Sequence, residues 1–343
     1  MNLCNDDTTV AGTAKGSSPL QSAAFPPLSD ETLELTDGRT LAYRTCGAKA
    51  AASKSVVFAF HGALGTGDFD IWCPVFERLG WFVVSPTLPG WGLSSPYESP
   101  GYTLQQYAEN DMVQLTSHVF RDLLKSDIKE EQQFSCLGIS FGCVHALACA
   151  VHLPDQVKGL YLLGPHGPFD DPSFNPLKGM ALPSQMGLGT IGYHLPWLTK
   201  WTAKIVQKSV STPEKARAFV KANLLDAMNH AEKNQFEQLA PQELKDNLSS
   251  GQGLHNSMCH SIEGYVGIPS VLRSWSHQDC HKIACPTHIF VAKGDVQTPV
   301  HGARYIHSKI QQQDAKLTEF KDGGHMTLVF SFEKCIESIL LSV

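Results

Sequence analysis

The sequence predicts an α/β fold: a mostly parallel sheet with helices on both faces and a helical cap inserted after the sixth strand. Three observations carry this. Short apolar runs alternate with segments of helical periodicity, the pattern of parallel strands joined by crossover helices. A glycine-flanked serine, Gly138-Ile139-Ser140-Phe141-Gly142, stands between one such run and one such segment. The alternation stops after Pro165 and resumes at Thr287, so the stretch between is an insertion rather than part of the sheet.

The elements follow in order. Alternating apolar residues on either side of Asp37-Gly38, in Thr32–Leu35 and Thr40–Arg44, read as a hairpin. Ser55–Phe60 is continuously apolar after its first residue, as in a strand buried on both faces. It runs into the glycine-rich loop His61-Gly62-Ala63-Leu64-Gly65-Thr66-Gly67, which lacks the Lys and Ser/Thr of a phosphate-binding loop. A helix is expected over Ile71–Leu79, a strand over Phe82–Ser85, and a long helix from Leu104 to about Lys125, where Leu104, Tyr107, Ala108, Met112, Leu115 and Val119 recur at helical spacing. Phe134–Leu137 is the strand before the serine turn, Val144–His152 the helix after it, and Gly159–Gly164 the sixth strand. The insertion reads as helices, among them Trp197–Val210 and Pro213–Phe236. Strand Thr287–Ala292, helix His301–Ile310, strand Lys316–Phe320 and a closing helix through Leu340 complete the sheet.

Composition sets outer limits. The chain has 343 residues, 42% apolar and 17% charged, enough for a large core. The net charge of -6, without a basic block, argues against a nucleic-acid partner. No apolar run is long enough to span a membrane. Residues 1–28 are rich in Ala, Ser, Thr, Gly and Pro, which predicts a disordered segment without the basic start and apolar stretch of a secretory signal. The ten cysteines are scattered singly, as expected for reduced thiols in a cytoplasmic protein. The expected organisation is a terminal segment 1–28, a first core part 29–167, a helical cap 168–276 and a second core part 277–343.

The serine turn directs the chemistry. A sharp strand-to-helix turn presents a serine oxygen above the carboxyl ends of the strands, where open parallel sheets gather their functional groups. A serine hydroxyl needs a base to act as a nucleophile. His325 is the candidate, because Gly323-Gly324-His325 directly follows the last strand and imidazole titrates near neutrality. An acid must hold the imidazole tautomer, and Asp295, ending the preceding strand, is placed for this. Oxyanion donors are expected from the N–H of Phe141 and one N–H of the His61–Leu64 loop, Ala63 first and Leu64 next.

Taken together these motifs resemble the α/β-hydrolase family, in its lidded esterase, lipase and epoxide-hydrolase-like branch. His61-Gly62 resembles the family's oxyanion loop, and Leu88-Pro89-Gly90-Trp91-Gly92-Leu93-Ser94 its P-G-x-G-x-S segment. Gly138–Gly142 matches the nucleophile elbow, Asp295 with Pro299 the acid loop, and Gly324-His325 the base loop. The resemblance spans 31–165 and about 280–343. It implies a triad of Ser140, Asp295 and His325 with no metal or organic cofactor, and a cap over the site. Three departures stand out. Thr87 replaces the aspartate often found before the P-G-x-G segment, which bears on loop structure. The acid loop is short, leaving Asp170 or Asp171 as reserve acids. The elbow holds serine where epoxide hydrolases and haloalkane dehalogenases carry aspartate, which disfavours both chemistries.

His61 is expected to tie strand ends together. Cys143, His145 and Cys149 read as packing. His277, Cys280, His281, Cys285 and His288 have too loose a spacing for a zinc site, with His288 held by packing in its strand. Phe174, Tyr193, Trp197, Trp201 and Trp275 are expected to form the cap core, a subset lining an apolar pocket. The expected function is a serine hydrolase of carboxylic esters or related acyl compounds, with a small apolar acyl substrate as its partner. The same triad also serves C–C bond or lactone hydrolysis, acyl transfer and lyase chemistry, and the fold also serves ligand receptors with little turnover.

Overall fold

The computed structural model describes residues 25, 28–97, 102–125, 132–311 and 315–340. The disordered segment expected at 1–28 lies outside them apart from Phe25 and Leu28. Eight strands form one sheet: β1 (Glu31–Glu34), β2 (Thr40–Gly47), β3 (Ser55–Phe60), β4 (Trp81–Pro86), β5 (Phe134–Ile139), β6 (Val157–Leu163), β7 (Thr287–Ala292) and β8 (Lys316–Phe320), in the spatial order β1-β2-β4-β3-β5-β6-β7-β8. The β1–β2 and β2–β4 pairs are antiparallel and every other pair is parallel. The fold class expected from the sequence is therefore the one observed.

The alternation of side chains along a strand divides the core in two. Val56, Phe58 and Phe60 of β3 enter one apolar cluster, while Val57 and Ala59 enter the other. On the first face lie a long helix over 104–123, here α2, and helix α3 (Gly142–His152). On the second lie α1 (Cys73–Leu79) and the closing helices. Helix α2 opens with a capping box from Thr103 and Gln106 and contains two wider π-type stretches, Tyr107–Met112 and Val119–Leu123. The bidentate Arg39–Asp111 ion pair, with Arg39 Nη1 donating to Asp111 Oδ2 at 3.0 Å, fixes α2 against the hairpin in a fully buried position.

Between β6 and β7 the chain is helical. It forms α4 (Leu182–Leu188), α5 (Thr190–His194), α6 (Pro196–Ser209), α7 (Pro213–Val220), α8 (His230–Leu239), α9 (Gln242–Ser250), α10 (Gln252–Met258) and α11 (Glu263–Arg273). The single helix expected over Pro213–Phe236 is two. Asn229 has extended backbone and caps α8 in a reciprocal box with Glu232, which stops the first helix and starts the second. The expected aromatic cap core is also corrected. Trp275 is buried, but Trp197 and Trp201 are 66% and 60% exposed and Tyr193 is exposed too. Small residues, Thr199 and Ala203, form the inward face of α6, so its tryptophans point outward. Phe174 packs on His301 and Tyr305 of α12 (Val300–Lys309) instead. The closing helix is divided into α13 (His325–Phe330) and α14 (Phe332–Leu340). Among the described residues no helix is long and apolar enough to cross a membrane.

Candidate active site

The site lies where the strand order reverses. From β3 the chain crosses to β4 on one side, and from β5 it crosses to β6 on the other. β3 and β5 are neighbours, with Phe60 opposite Gly138, so the His61–Leu64 loop and the Ser140 turn leave the sheet side by side. Ser140 has φ of 53°, a left-handed conformation that a serine rarely adopts. The flanking glycines permit the turn by close approach. A Cβ on Gly142 would lie 2.2 Å from Phe60 O, and one on Gly138 would lie 2.6 Å from Cys143 Cα. The Ser140 N–H donates to Leu163 O at 2.7 Å, pinning the turn to the end of β6.

Asp295 and His325 come from the loops after β7 and β8, which pair with Ala292 opposite Phe320. His325 Nδ1 and Asp295 Oδ2 are 2.7 Å apart. The carboxylate is held on all sides: Oδ1 accepts from the N–H groups of Gln297 (2.7 Å) and Thr298 (2.8 Å), and Oδ2 accepts from the Thr298 hydroxyl (2.7 Å). Burial pushes the Asp295 carboxyl up, but the imidazole and these donors outweigh it and keep it below the usual carboxylate range. Burial likewise pulls His325 down, but Asp295, with a smaller contribution from Glu232, carries it above the ordinary imidazole value. The ring of His325 borders Gly164, the residue after the Leu163 that anchors Ser140; a Cβ on Gly164 would be 3.3 Å from His325 Cε1. All three residues singled out in the sequence thus lie at the carboxyl ends of β5, β7 and β8. The reserve Asp171 is engaged elsewhere, accepting from Ser173 N–H and Oγ and from the Tyr305 hydroxyl.

Ala63 and Phe141 both line the cavity beside Ser140. Among the described residues neither backbone N–H has a protein acceptor. Leu64, next to Ala63, sits at φ 63°, which turns the loop sharply. His61 holds that loop: its Nδ1 meets Gly62 O at 2.7 Å and its Nε2 accepts from Leu88 N–H at 2.9 Å, so the ring is a neutral Nδ1–H tautomer. Burial lowers it to about 4, consistent with that neutral form. Thr87 is completely buried, accepting from Gly67 N–H, and so shapes the same loop region.

Three participants escaped sequence reasoning. Thr298 braces Asp295 at the i+3 spacing of a capping side chain, a signal present in Asp295-Val296-Gln297-Thr298. Glu232, only 7% exposed, reaches from α8 of the insertion to the base loop, where its Oε1 accepts the Met326 N–H at 3.0 Å. Its carboxylate lies over Gly324, where a Cβ would come within 2.6 Å of it. His166, after β6, lines the cavity, is buried with no partner for Nδ1 among the described residues, and is pushed down to about 4 by burial and by neighbouring His325. No spacing in the sequence joins Glu232 or His166 to the triad candidates.

The cavity has a volume of about 650 Å3. Its sheet side carries Ser140, Ala63 and Phe141, and its insertion side carries aliphatic residues such as Leu182, Met186, Leu188 and Ile191. None of the aromatic residues expected to line it does so. At the other cluster noted in the sequence, burial pushes the thiols of Cys280 and Cys285 up to about 12 and about 11. His288 Nε2 lies 2.9 Å from Thr318 Oγ1, so a hydrogen bond, not packing alone, holds that ring. Among the described residues no three His, Cys, Asp or Glu side chains converge as metal ligands.

No curated protein matches the sequence. Solved structures share the fold at low identity. A hydrolase from Pseudomonas aeruginosa is 20% identical, with a TM-score of 0.61 over 91% of this chain and 98% of that one. An enol-lactonase from Burkholderia xenovorans is 17% identical, with a TM-score of 0.59 over 91% and 100%. An esterase from Exiguobacterium antarcticum is 18% identical, with a TM-score of 0.60 over 90% and 97%. The sequence profile of the alpha/beta hydrolase fold matches residues 55–332, from β3 to the start of α14 and across the whole insertion. The chain belongs to the α/β-hydrolase-fold family.

Proposed function

We propose that the protein is a serine hydrolase that cleaves carboxylic esters or related acyl compounds through an acyl-enzyme on Ser140. The observation that carries this reading is the buried Asp295–His325 pair at 2.7 Å at the same end of the sheet as a serine held at φ 53°. Asp295, kept ionised, fixes His325 with its proton on Nδ1 and leaves Nε2 free to accept the Ser140 proton. Ser140 Oγ then attacks the acyl carbonyl, and the N–H groups of Phe141 and Ala63 receive the oxyanion, each worth about 2.7–4 kcal/mol in comparable sites. His325 returns the proton to the leaving alcohol. Water, deprotonated by His325, releases the acid and restores Ser140. Glu232 acts as a positioning residue, fixing the backbone next to His325 and adding negative potential that favours the imidazolium. The aliphatic wall of the cavity suits an apolar acyl or alcohol portion.

The test is labelling with a fluorescent fluorophosphonate, followed by turnover of p-nitrophenyl esters of increasing acyl length. Wild type should label and turn over, Ser140→Ala should do neither, and His325→Ala and Asp295→Asn should lose turnover. A folded wild-type protein that neither labels nor turns over any ester of the series would overturn the proposal.

A further inference from the structure

The outward face of α6 is an unusual surface for an acidic protein. At about 100° per residue, Trp197, Lys200, Trp201, Lys204, Ile205 and Lys208 share one side of this helix, and all six are exposed. Helix α6 carries no Asp or Glu, although the chain as a whole has a net charge of -6. Among the described residues Lys200 alone of the three lysines has a carboxylate partner, Glu263 of α11 at 2.9 Å, and that pair is itself exposed. The lysines follow one edge of the face and the two tryptophans and Ile205 the other. The apolar edge borders the side of the helix that carries Leu198 and Thr202, and these line the active-site cavity. Leu182 and Met186 of α4 also line the cavity, yet they are 68% and 48% exposed. Exposed apolar side chains of both α4 and α6 therefore adjoin the lining of the cavity.

We propose that this face is a docking surface for an anionic lipid bilayer. Tryptophan is the side chain that settles at the headgroup boundary, and lysine stems lie along apolar surface while their ammonium groups reach anionic headgroups. Charge complementarity separates this occupant from the alternatives. A symmetric contact between two copies would set three lysines against three lysines with no carboxylate on either helix. The chain's own residues 1–24 offer few large apolar side chains, Met1, Leu3, Val10 and Leu20, to cover two tryptophans. Docking through α6 and the exposed part of α4 turns the cavity mouth to the lipid, so that acyl substrates enter from the bilayer. The docking is independent of the proposed catalytic reading; only this route of substrate entry rests on it.

Tryptophan emission tests the docking directly. The chain has six tryptophans, and Trp72, Trp81, Trp91 and Trp275 are each at most 6% exposed, so a change in solvent contact reports Trp197 and Trp201. The full chain is mixed with vesicles of two parts phosphatidylcholine to one part phosphatidylserine, or of phosphatidylcholine alone, and followed by emission, acrylamide quenching and flotation. The expected result is a blue shift, protection from acrylamide and flotation with the mixed vesicles, weakened by added salt. Trp197→Ser with Trp201→Ser should reduce partition at least ~10-fold. Lys200→Gln with Lys204→Gln and Lys208→Gln should reduce the phosphatidylserine-dependent part by roughly 100-fold, about fivefold per lysine. Turnover of a soluble short-chain ester, measured on each variant, reports the catalytic reading separately. Vesicle binding without any turnover keeps the docking surface and sinks the hydrolase; turnover without vesicle binding does the reverse. Three further results overturn the docking: binding unchanged in both variants, tryptophans already shielded from acrylamide in the free monomer, or shielding that appears only with self-association in sedimentation equilibrium.

Discussion

The sheet half of the molecule and its helical insertion hold their side chains in different ways. In the sheet half, strands such as β4 and β7 are buried along their whole length, and the buried Arg39 between hairpin and α2 is paired with Asp111. In the insertion, α4 and the π-type turn after α7 contribute no buried side chain, and α6 contributes only Thr199 and Ala203. Its ion pairs among the described residues, such as Lys200–Glu263 and Lys221–Asp226, lie at the surface. The candidate nucleophile, acid and base stand on the first region; the second supplies the aliphatic wall of the cavity. The contrast teaches that position is demanded where chemistry is expected, while the wall needs only apolar shape. Glu232 departs from this contrast, a buried carboxylate of the insertion on which the base loop rests.

Substitutions can break this comparison, beginning with the largest effect. Ser140→Ala and Asp295→Asn should each lower kcat/KM for a soluble ester by about 10^4-fold or more, because the triad acts as a unit. Met186→Ala in the opposite wall should alter the acyl-length profile by no more than ~10-fold. An equal loss at Met186 would mean that the insertion also positions the reacting groups. The stability counterpart follows. Asp111→Ala leaves the buried Arg39 with the part-exposed Asp37 as its carboxylate partner and should cost about 3 kcal/mol by urea denaturation. Glu263→Ala, at the exposed pair, should cost less than ~1 kcal/mol. Similar values for the two would show that the insertion is held as tightly as the sheet.

Smaller effects sharpen the role of Glu232. His325 accepts a proton from Ser140 only when neutral, and Asp295 and Glu232 raise its pKa. Turnover should therefore fall on acidification with a limb above about 6.5, the ordinary imidazole value. Glu232→Gln removes the more distant negative charge, so the limb should move to lower pH, with kcat/KM at neutral pH reduced by no more than ~10-fold. A limb unchanged in Glu232→Gln would reduce the residue to a brace. A last effect is expected in thermal stability. His61, His145 and His166 are held neutral by burial, at about 4, about 3 and about 4. The unfolded chain binds protons at these positions below about 6.5, so their contribution to stability declines as pH falls from there towards 4. His325, raised in the fold, acts in the opposite sense: its contribution is fully present below about 6.5 and is lost as pH rises through its folded value. Calorimetry should find Tm falling on acidification below that point, and a Tm that rises instead would contradict the buried neutral state of the three.

Particular residues show how far the sequence could be read. Gly138–Gly142 disclosed its turn because strand, glycine, serine, glycine and helix are contiguous, so local sterics alone make the serine prominent. Asp295 and His325 were legible for a similar reason, each closing a loop directly after an apolar strand. Asn229 with Glu232 carried a capping-box signature that marks the break inside Pro213–Phe236, a local signal that continuous helical composition obscured. The outward Trp197 and Trp201 could not be read in that way. An aromatic residue at helical spacing is equally compatible with either face, and only the small residues packed beneath α6 turn these two to solvent.

What the sequence determined by itself is therefore the layered sheet, the order of its strands in the chain and the candidates at their carboxyl ends. Each depends on periodicity or turn geometry within a few residues. Tertiary structure decided which acid meets His325, that Glu232 reaches the base loop from 94 residues away, and which face of α6 is outward. These depend on how separately folded segments pack against one another, and the free energy of such packing is distributed over contacts that no local pattern records.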